Sequence, residues 1–461
     1  MPRKGTALLR GALIAILAAT LSLSLPGCTV KPFDISGTVL DLSGNPVGGV
    51  DITADTKSAV TGSDGKYSIE GLAKAKTVVV PGKDGYLFDP PQLSVSGPSG
   101  SVNFTMVPGP KGVGILDIDI GLSFSAVLDT QGRVWTCGEN KYGTLGDGTV
   151  VDKMYWVRSA GLDDAVDVTA GYGHVHALRS DGTVWGWGFA GSGRLGFSSP
   201  TLSVCVPTLV PGLAGITKIS AGHYHTAALG SDGKVWAWGS NDVGQLGAGD
   251  TAPRSGPVQV SALSGIIDIC AASDFTIALS GDGKVWAWGA NSSGMLGNGG
   301  STDSPVPVQV DIPADVVAIA AGTLHCLALS SNGDVWGWGS NAYGQADGKT
   351  TANVLVPGKI GITGTPTGIS AGSASSFVFV PSGVYAWGGN GSGQLGDGST
   401  QHRLAPALAE NLSGMDWMVA KFNSCMAVDA SGDLYAWGSN HKGQLCTGDT
   451  NPRYAPEKIV W

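Results

Sequence analysis

One stretch, Val235-Trp236-Ala237-Trp238-Gly239-Ser240-Asn241-Asp242-Val243-Gly244-Gln245-Leu246-Gly247, comes back in seven versions along the chain. Its first aromatic is Trp135, Trp185, Trp236, Trp286, Trp336, Tyr385 and Tyr435 in turn, so the interval never leaves 49 to 51 residues. In the third copy four short extended runs fill one interval: Pro207 to Val210, Ile216 to Ala221, His225 to Leu229 and Val235 to Gly239. Asp232-Gly233 turns the third run into the fourth, and such a pair is the strongest short hairpin signal, because both central residues of a type I′ turn need positive φ. Equivalent turns sit at Gln131-Gly132, Asp181-Gly182, Asp282-Gly283, Asn332-Gly333, Ser382-Gly383 and Ser431-Gly432. Four antiparallel strands repeated seven times predict an all-β chain whose residues 113–461 form a seven-bladed β-propeller.

The alternation explains why such blades stack. In a strand Trp236 and Trp238 point to one face and Val235 and Ala237 to the other. The position of Ala237 is held elsewhere by Thr136, Gly186, Ala287, Gly337, Ala386 and Ala436. An aromatic face therefore meets a neighbour's small-residue face. Proline opens the first run at Pro207, Pro257, Pro307, Pro357 and Pro406, with Trp156 in the same register, and the series continues past the last aromatic to Pro456. Pro456 to Trp461 is thus expected to join the blade begun by Ile115 to Leu128, fastening the ring.

Residues 1–27 read as a targeting segment. Arg3, Lys4 and Arg10 precede an apolar run from Gly11 to Leu25, too short for the ~20 residues of a spanning helix. Leu25-Pro26-Gly27-Cys28 resembles a bacterial lipobox, which implies acylation of Cys28, a lipid anchor and, where two membranes exist, the outer one. Residues 28–107 then hold short β-like runs at Asp34 to Val39, Val50 to Ala54, Lys66 to Ile69, Thr77 to Val80 and Val102 to Met106. The series Gly37-Thr38-Val39, Asn45-Pro46-Val47-Gly48-Gly49-Val50, Asp64-Gly65-Lys66-Tyr67-Ser68-Ile69 and Gly85-Tyr86 resembles the carboxypeptidase regulatory-like domain. That resemblance implies a small β-sandwich without catalysis of its own, here a spacer. Residues 108–112, rich in Pro and Gly, supply the linker.

The units Ala221-Gly222-His223-Tyr224-His225-Thr226-Ala227-Ala228-Leu229 and Val235 to Gly247 resemble the repeats of the regulator of chromosome condensation family, over about residues 112 to 461. The resemblance implies the seven-bladed ring but no single function. Nucleotide exchange in the family's namesake depends on a wedge-like insertion and a basic chromatin-facing region. Here the spacing leaves no room for an insertion, and 36 acidic residues outnumber 27 basic ones, giving a formal net charge of −9. Nucleic acid is therefore not an expected partner.

No Cys-x-x-Cys, nucleophile elbow, phosphate loop or metal-binding helix motif is present, so no cofactor or metal is expected. His174, His225 and His325 share one repeat position with Phe124, Phe275, Ser375 and Ser424 and read as interior groups. Cys137, Cys205, Cys270, Cys326, Cys425 and Cys446 fall at scattered repeat positions rather than as matched pairs, which suits small buried hydrophobes. Strand parity supplies the functional clue. The turns joining the second and third runs and the loops leaving the fourth open at one end of the ring, where Tyr142, Tyr172, His223, Tyr224, Asp274, Tyr343, Phe422 and His441 stand. Aromatics mixed with a few charges predict an interface for a protein or glycan partner on a monomeric, membrane-anchored propeller. The competing expectation is an envelope lyase or hydrolase working in the central channel.

Overall fold

A computed structural model gives the fold and describes residues 31–41, 44–73, 76–83, 86–89, 93–108, 113–459 and 461. The targeting segment with Cys28 and linker residues 109–112 lie outside the described residues. Among those described there is no α-helix, hence none long and apolar enough to cross a membrane.

The N-terminal unit is a sandwich of two four-stranded sheets. One orders Lys66–Leu72, Phe33–Leu40, Phe104–Pro108 and Tyr86–Asp89; the other orders Lys57–Val60, Asp51–Ala54, Thr77–Gly82 and Leu93–Val95. Alternate residues turn inward, so Ile35, Val39, Ile52, Ala54, Ile69 and Val79 share one core with Phe88 and Phe104. Lys57–Val60, Tyr86–Asp89 and Leu93–Val95 were not foreseen, being short strands at or near the sheet edges.

Seven four-stranded sheets follow, and their innermost strands, Ile115–Ile120, Ala165–Ala170, Ile216–Ala221, Ile266–Ala271, Val316–Ala321, Gly368–Ala371 and Met415–Lys421, surround the axis in chain order. The blades begin one strand later than the sequence suggested. Ser203–Leu209 pairs with Val184–Phe189 (Trp185 opposite Leu209), so the proline-bearing strand is the outermost strand of the blade whose aromatics precede it. The expected strand exchange at closure is therefore corrected. Arg453–Lys458 pairs with Leu434–Gly438 of its own blade, and the first blade is complete without it. A repeat fixes the period but not the phase, and the long loop between the third and fourth strands hides which partner the proline strand takes.

The ring closes instead by repeating one set of contacts. In five blade-to-blade steps the loop after the third strand donates a backbone N–H to the next outermost strand: Gly148 to Cys205 O, Gly249 to Pro305 O, Gly299 to Leu355 O, Gly398 to Tyr454 O and, across the seam, Gly448 to Met154 O at 3.2 Å. Trp461 also reaches the start of the ring. Its indole N–H donates to Val113 O at 2.8 Å, and its ring stands edge-on to Trp156 at 5.5 Å.

Between blades the second aromatic, not the first, is the fully buried one. Trp187, Trp238, Trp288, Trp338, Trp387 and Trp437 have no exposed surface, whereas Trp236, Trp286 and Trp336 are half-buried. Trp288 packs on Val235, Ala237 and Leu246 of the preceding blade, placing bulk against small residues. Its indole N–H donates to Gln245 O at 2.9 Å, as Trp187 does to Thr144 O, Trp238 to Arg194 O, Trp338 to Met295 O and Trp437 to Gln394 O. Gly247 leaves room for that ring, since a Cβ there would lie 2.8 Å from the Trp288 indole nitrogen. Trp288→Ala is expected to cost about 3–5 kcal/mol, the range for deleting a buried aromatic, and Trp286→Ala clearly less. Urea unfolding of the two variants measures the difference.

Candidate functional site

The end of the ring that carries the turns between first and second strands also carries the loops between third and fourth strands. Parity survives the change of phase. Those loops are held by a fixed polar frame. In six blades an asparagine (Asn140, Asn241, Asn291, Asn341, Asn390, Asn440) accepts the backbone N–H five residues on, 2.8 to 3.0 Å away. Its side-chain amide donates to carbonyls farther along, such as Asp250 O and Ala252 O for Asn241. Gln245, Gln345, Gln394 and Gln444 then accept from their own loops, and Gln245 and Gln394 also donate to Asp274 and Asn423 in the next blade's turn.

The second blade breaks this frame. Ala190 stands in the asparagine position, Arg194 in the glutamine position and Phe189 just before them, and the loop takes a 3-10 turn over Gly191–Gly193 with Ser192 at φ 59. The aromatic residues gather there. Tyr142 packs on Phe189 at 4.4 Å, Arg194 lies 4.5 Å from the Phe189 centroid and 4.9 Å from that of Tyr224, and Tyr224 meets Tyr172 at 5.3 Å. Tyr172 continues to Phe422 at 6.4 Å, which His223 stacks against at 4.9 Å. A cavity of about 400 Å³ opens over this patch, with Glu139, Lys141 and Thr144 on its other side.

Arg194 is the unusual member. It is only 3% exposed, its Nε donates to Gly191 O at 2.7 Å, and its Nη1 has no hydrogen-bond partner. Among the described residues no carboxylate pairs with it. Burial pulls its pKa down to about 10, while the Tyr224 and Tyr142 phenols favour the charge. A guanidinium between aromatic faces is weakly hydrated and matches planar oxyanions in two-point fashion. A buried cation left without its anion is costly, and its natural complement is a carboxylate.

Of the residues expected at this face, Tyr142, Tyr172, His223, Tyr224 and Phe422 form this continuous patch. Phe422 is buried, at φ 49, and serves as floor rather than contact. Asp274 stands beside the patch, where it raises the pKa of Tyr224 together with burial and Tyr172, the larger causes. Tyr343 and His441 lie apart: Tyr343 packs on His402 at 4.4 Å, and His441 bonds Ser439 and Ser123. Phe189 and Arg194 were missed, although the simultaneous loss of asparagine and glutamine from one copy was visible in the sequence.

The channel holds carboxylates, but they have structural work. Innermost strands are sheet edges with unpaired N–H groups, and side chains of the preceding blade cap them. Asp117 accepts from Val168 N, Asp119 from Ala170 N, Asp167 from Ile219 N, Thr169 from Ala221 N, and Ser220 from Ala271 N. Burial and the adjacent Asp167 push the Asp117 carboxyl well up. Lys421 crosses the opening, donating to Asp119, Ala170 O and Ala221 O and so joining the seventh blade to the first three. The arrangement binds blades to one another, and each carboxylate named here accepts a backbone N–H of the next blade.

Residues 96–315 match an RCC1-like domain, residues 316–345, 382–423 and 431–461 match the regulator of chromosome condensation (RCC1) repeat, and residues 34–107 match a carboxypeptidase regulatory-like domain. The chain is 34% identical over 131 residues to the ultraviolet-B receptor UVR8 of Arabidopsis thaliana, covering 28% of this chain and 30% of that protein. It is 32% identical over 141 residues to the E3 ubiquitin-protein ligase HERC2 of Homo sapiens, covering 29% of this chain and 3% of that one. These matches thus span less than a third of each relative's length. Among solved structures, Prp20p of Saccharomyces cerevisiae superposes with a TM-score of 0.65 at 21% identity, covering 72% of this chain and 87% of that one. Human WBSCR16 gives 0.63 at 22% identity, covering 71% and 94%. At such identities the likeness concerns the fold.

The shared-position histidines are packing groups. His174, His225 and His325 are buried, and each Nε2 meets a hydroxyl of the next blade, Thr226, Thr276 and Ser376 respectively. Burial pulls His225 down to about 3 and His325 to about 4, against an ordinary value of 6.5. Folded, these rings stay neutral; unfolded, they take a proton below 6.5. Their contribution is whole above 6.5 and is lost as the pH falls toward the folded values. His325→Phe, the residue found at Phe275, should flatten the fall of stability between pH 6.5 and pH 4, checked by denaturant midpoints across that range.

Proposed function

The chain carries an RCC1-like propeller of regulator of chromosome condensation repeats behind a carboxypeptidase regulatory-like domain, and from that premise we propose that it is a binding module whose second-blade loop captures a protein partner. The observation that carries this reading is Arg194, a buried guanidinium without a carboxylate, set among Phe189, Tyr224, Tyr142 and Tyr172 in the one loop that abandons the frame. Interfaces concentrate their energy in such arginine and aromatic clusters. The partner would bring an aspartate or glutamate to Arg194 and an apolar surface to the tyrosines. A protein is favoured over a glycan because Prp20p is described by its binding to Gsp1p and histones, and Prp20 also by a complex with Kap60.

We further propose that the chain works as a monomer tethered to a bacterial envelope through Cys28, with the sandwich as spacer. The channel reading is the weaker one, since Lys421 spans the opening and the carboxylates cap strand edges. Capture from an extract of the source cells tests the binding face. Arg194→Gln, which installs the side chain of four sister loops, should lose the captured protein at least tenfold, consistent with about 1.4 kcal/mol or more for a hot-spot residue. Tyr343→Ala, away from the patch, should retain it. Equal capture by the wild type and Arg194→Gln contradicts the assignment.

A further inference from the structure

At five blade-to-blade steps a buried tryptophan faces a glycine of the preceding loop: Trp187 and Gly146, Trp238 and Gly196, Trp288 and Gly247, Trp338 and Gly297, Trp437 and Gly396. At the step from the seventh blade to the first, both members change together. The tryptophan position is Cys137 and the glycine position is Cys446. The two cysteines were expected to be scattered, and in strand-and-loop register they are the matched pair of the seam. Cys137 donates through sulfur to Gln444 O, the carbonyl position that receives the indole N–H elsewhere, and Cys446 packs against the same buried cluster as Cys137, where burial and that neighbouring thiol push its own pKa well up. Trp461 and Trp156 fill the volume that the missing indole leaves. Cys446 also holds φ 60, a left-handed conformation its sister loops give to glycine, and a side chain kept in that conformation is costly unless it does something.

We propose that Cys137 and Cys446 are an oxidative cross-linking site whose disulfide clasps the first blade to the last. The inference stands independently of the binding face. Cys446 is partly exposed and lines a cavity of about 280 Å³, while Cys137 is buried, which sets the order of events. The Cys446 thiolate attacks a small-molecule disulfide such as glutathione disulfide, forming a mixed disulfide and releasing one thiol. The Cys137 thiolate then attacks the Cys446 sulfur and expels the second thiol. Two protons leave the cysteines, and two electrons reduce the reagent disulfide to two thiols. The bond closes a loop running almost the whole way round the ring, the case in which a cross-link restricts the unfolded chain most.

The full chain is incubated with glutathione disulfide, alkylated in denaturant, digested without reductant and read by mass spectrometry. The expected result is one linked peptide pair containing Cys137 and Cys446, with Cys205, Cys270, Cys326 and Cys425 alkylated. The oxidised wild type should lose several degrees of Tm on addition of dithiothreitol. Cys446→Gly, which restores the sister-loop residue, should fold and show no such shift, and Cys137→Ser provides a second unlinked chain. Alkylation of both Cys137 and Cys446 after oxidation overturns the proposal, as does pairing with another cysteine or a linked chain whose Tm ignores reductant.

Discussion

One hydrogen bond organises the ring: a fully buried indole N–H given to the carbonyl of the loop in the blade before it. Five tryptophans make it within 2.8 to 3.0 Å. The bond satisfies a donor that would otherwise be stranded in an apolar interface, and it fixes the loop whose carbonyl it uses. That loop then lays its N–H on the next outermost strand. Packing between blades and the shape of the loop-bearing end are therefore one construction. Trp387 is the exception among the six tryptophans at the second aromatic position, with no partner for its nitrogen, and its preceding loop carries Asp347 where the loops before the other five place glycine.

The period, the strand content and the sandwich were legible because each rests on local signals: turn pairs, alternation and aromatic spacing. Phase was not. Pro207 looks like the start of a unit because it follows a loop and precedes a strand, yet its strand hydrogen-bonds backwards to Trp185 and its neighbours, and nothing local distinguishes the two pairings. Nor could alternation rank Trp236 against Trp238, since both point to the same face and only their depth in the interface separates them. Five of the eight expected face residues converge because their blades are adjacent around the axis. Tyr343 stands on the fifth blade and is carried away by the ring's rotation, whereas His441 shares the seventh blade with Phe422 but sits in the loop between its third and fourth strands, bonded to Ser439 and Ser123. Arg194 escaped notice because attention went to residues present at many stations, when the information lay in the single copy that departed from them.

Departures from the frame have opposite meanings at different places. At the seam, Cys137 and Cys446 replace a tryptophan and a glycine, and the compensation is local, with Trp461 and Trp156 filling the interface. In the second blade the loss of asparagine and glutamine is not compensated by equivalent bonds: Arg194 keeps an unpartnered nitrogen. Strain or unsatisfied polarity retained at one copy of a repeat, when six sister copies keep the asparagine and four the glutamine, is the pattern expected where stability has been given up for binding.

That contrast can be measured in one chain. Phe189→Ser, Ala190→Asn and Arg194→Gln together rewrite the second-blade loop in the frame used by the third. Thermal unfolding and partner capture are then recorded side by side for this variant and the wild type. The account predicts a Tm equal to or above that of the wild type, with capture lost. A variant that unfolds at a lower temperature, or that captures the partner as well as the wild type does, would contradict it.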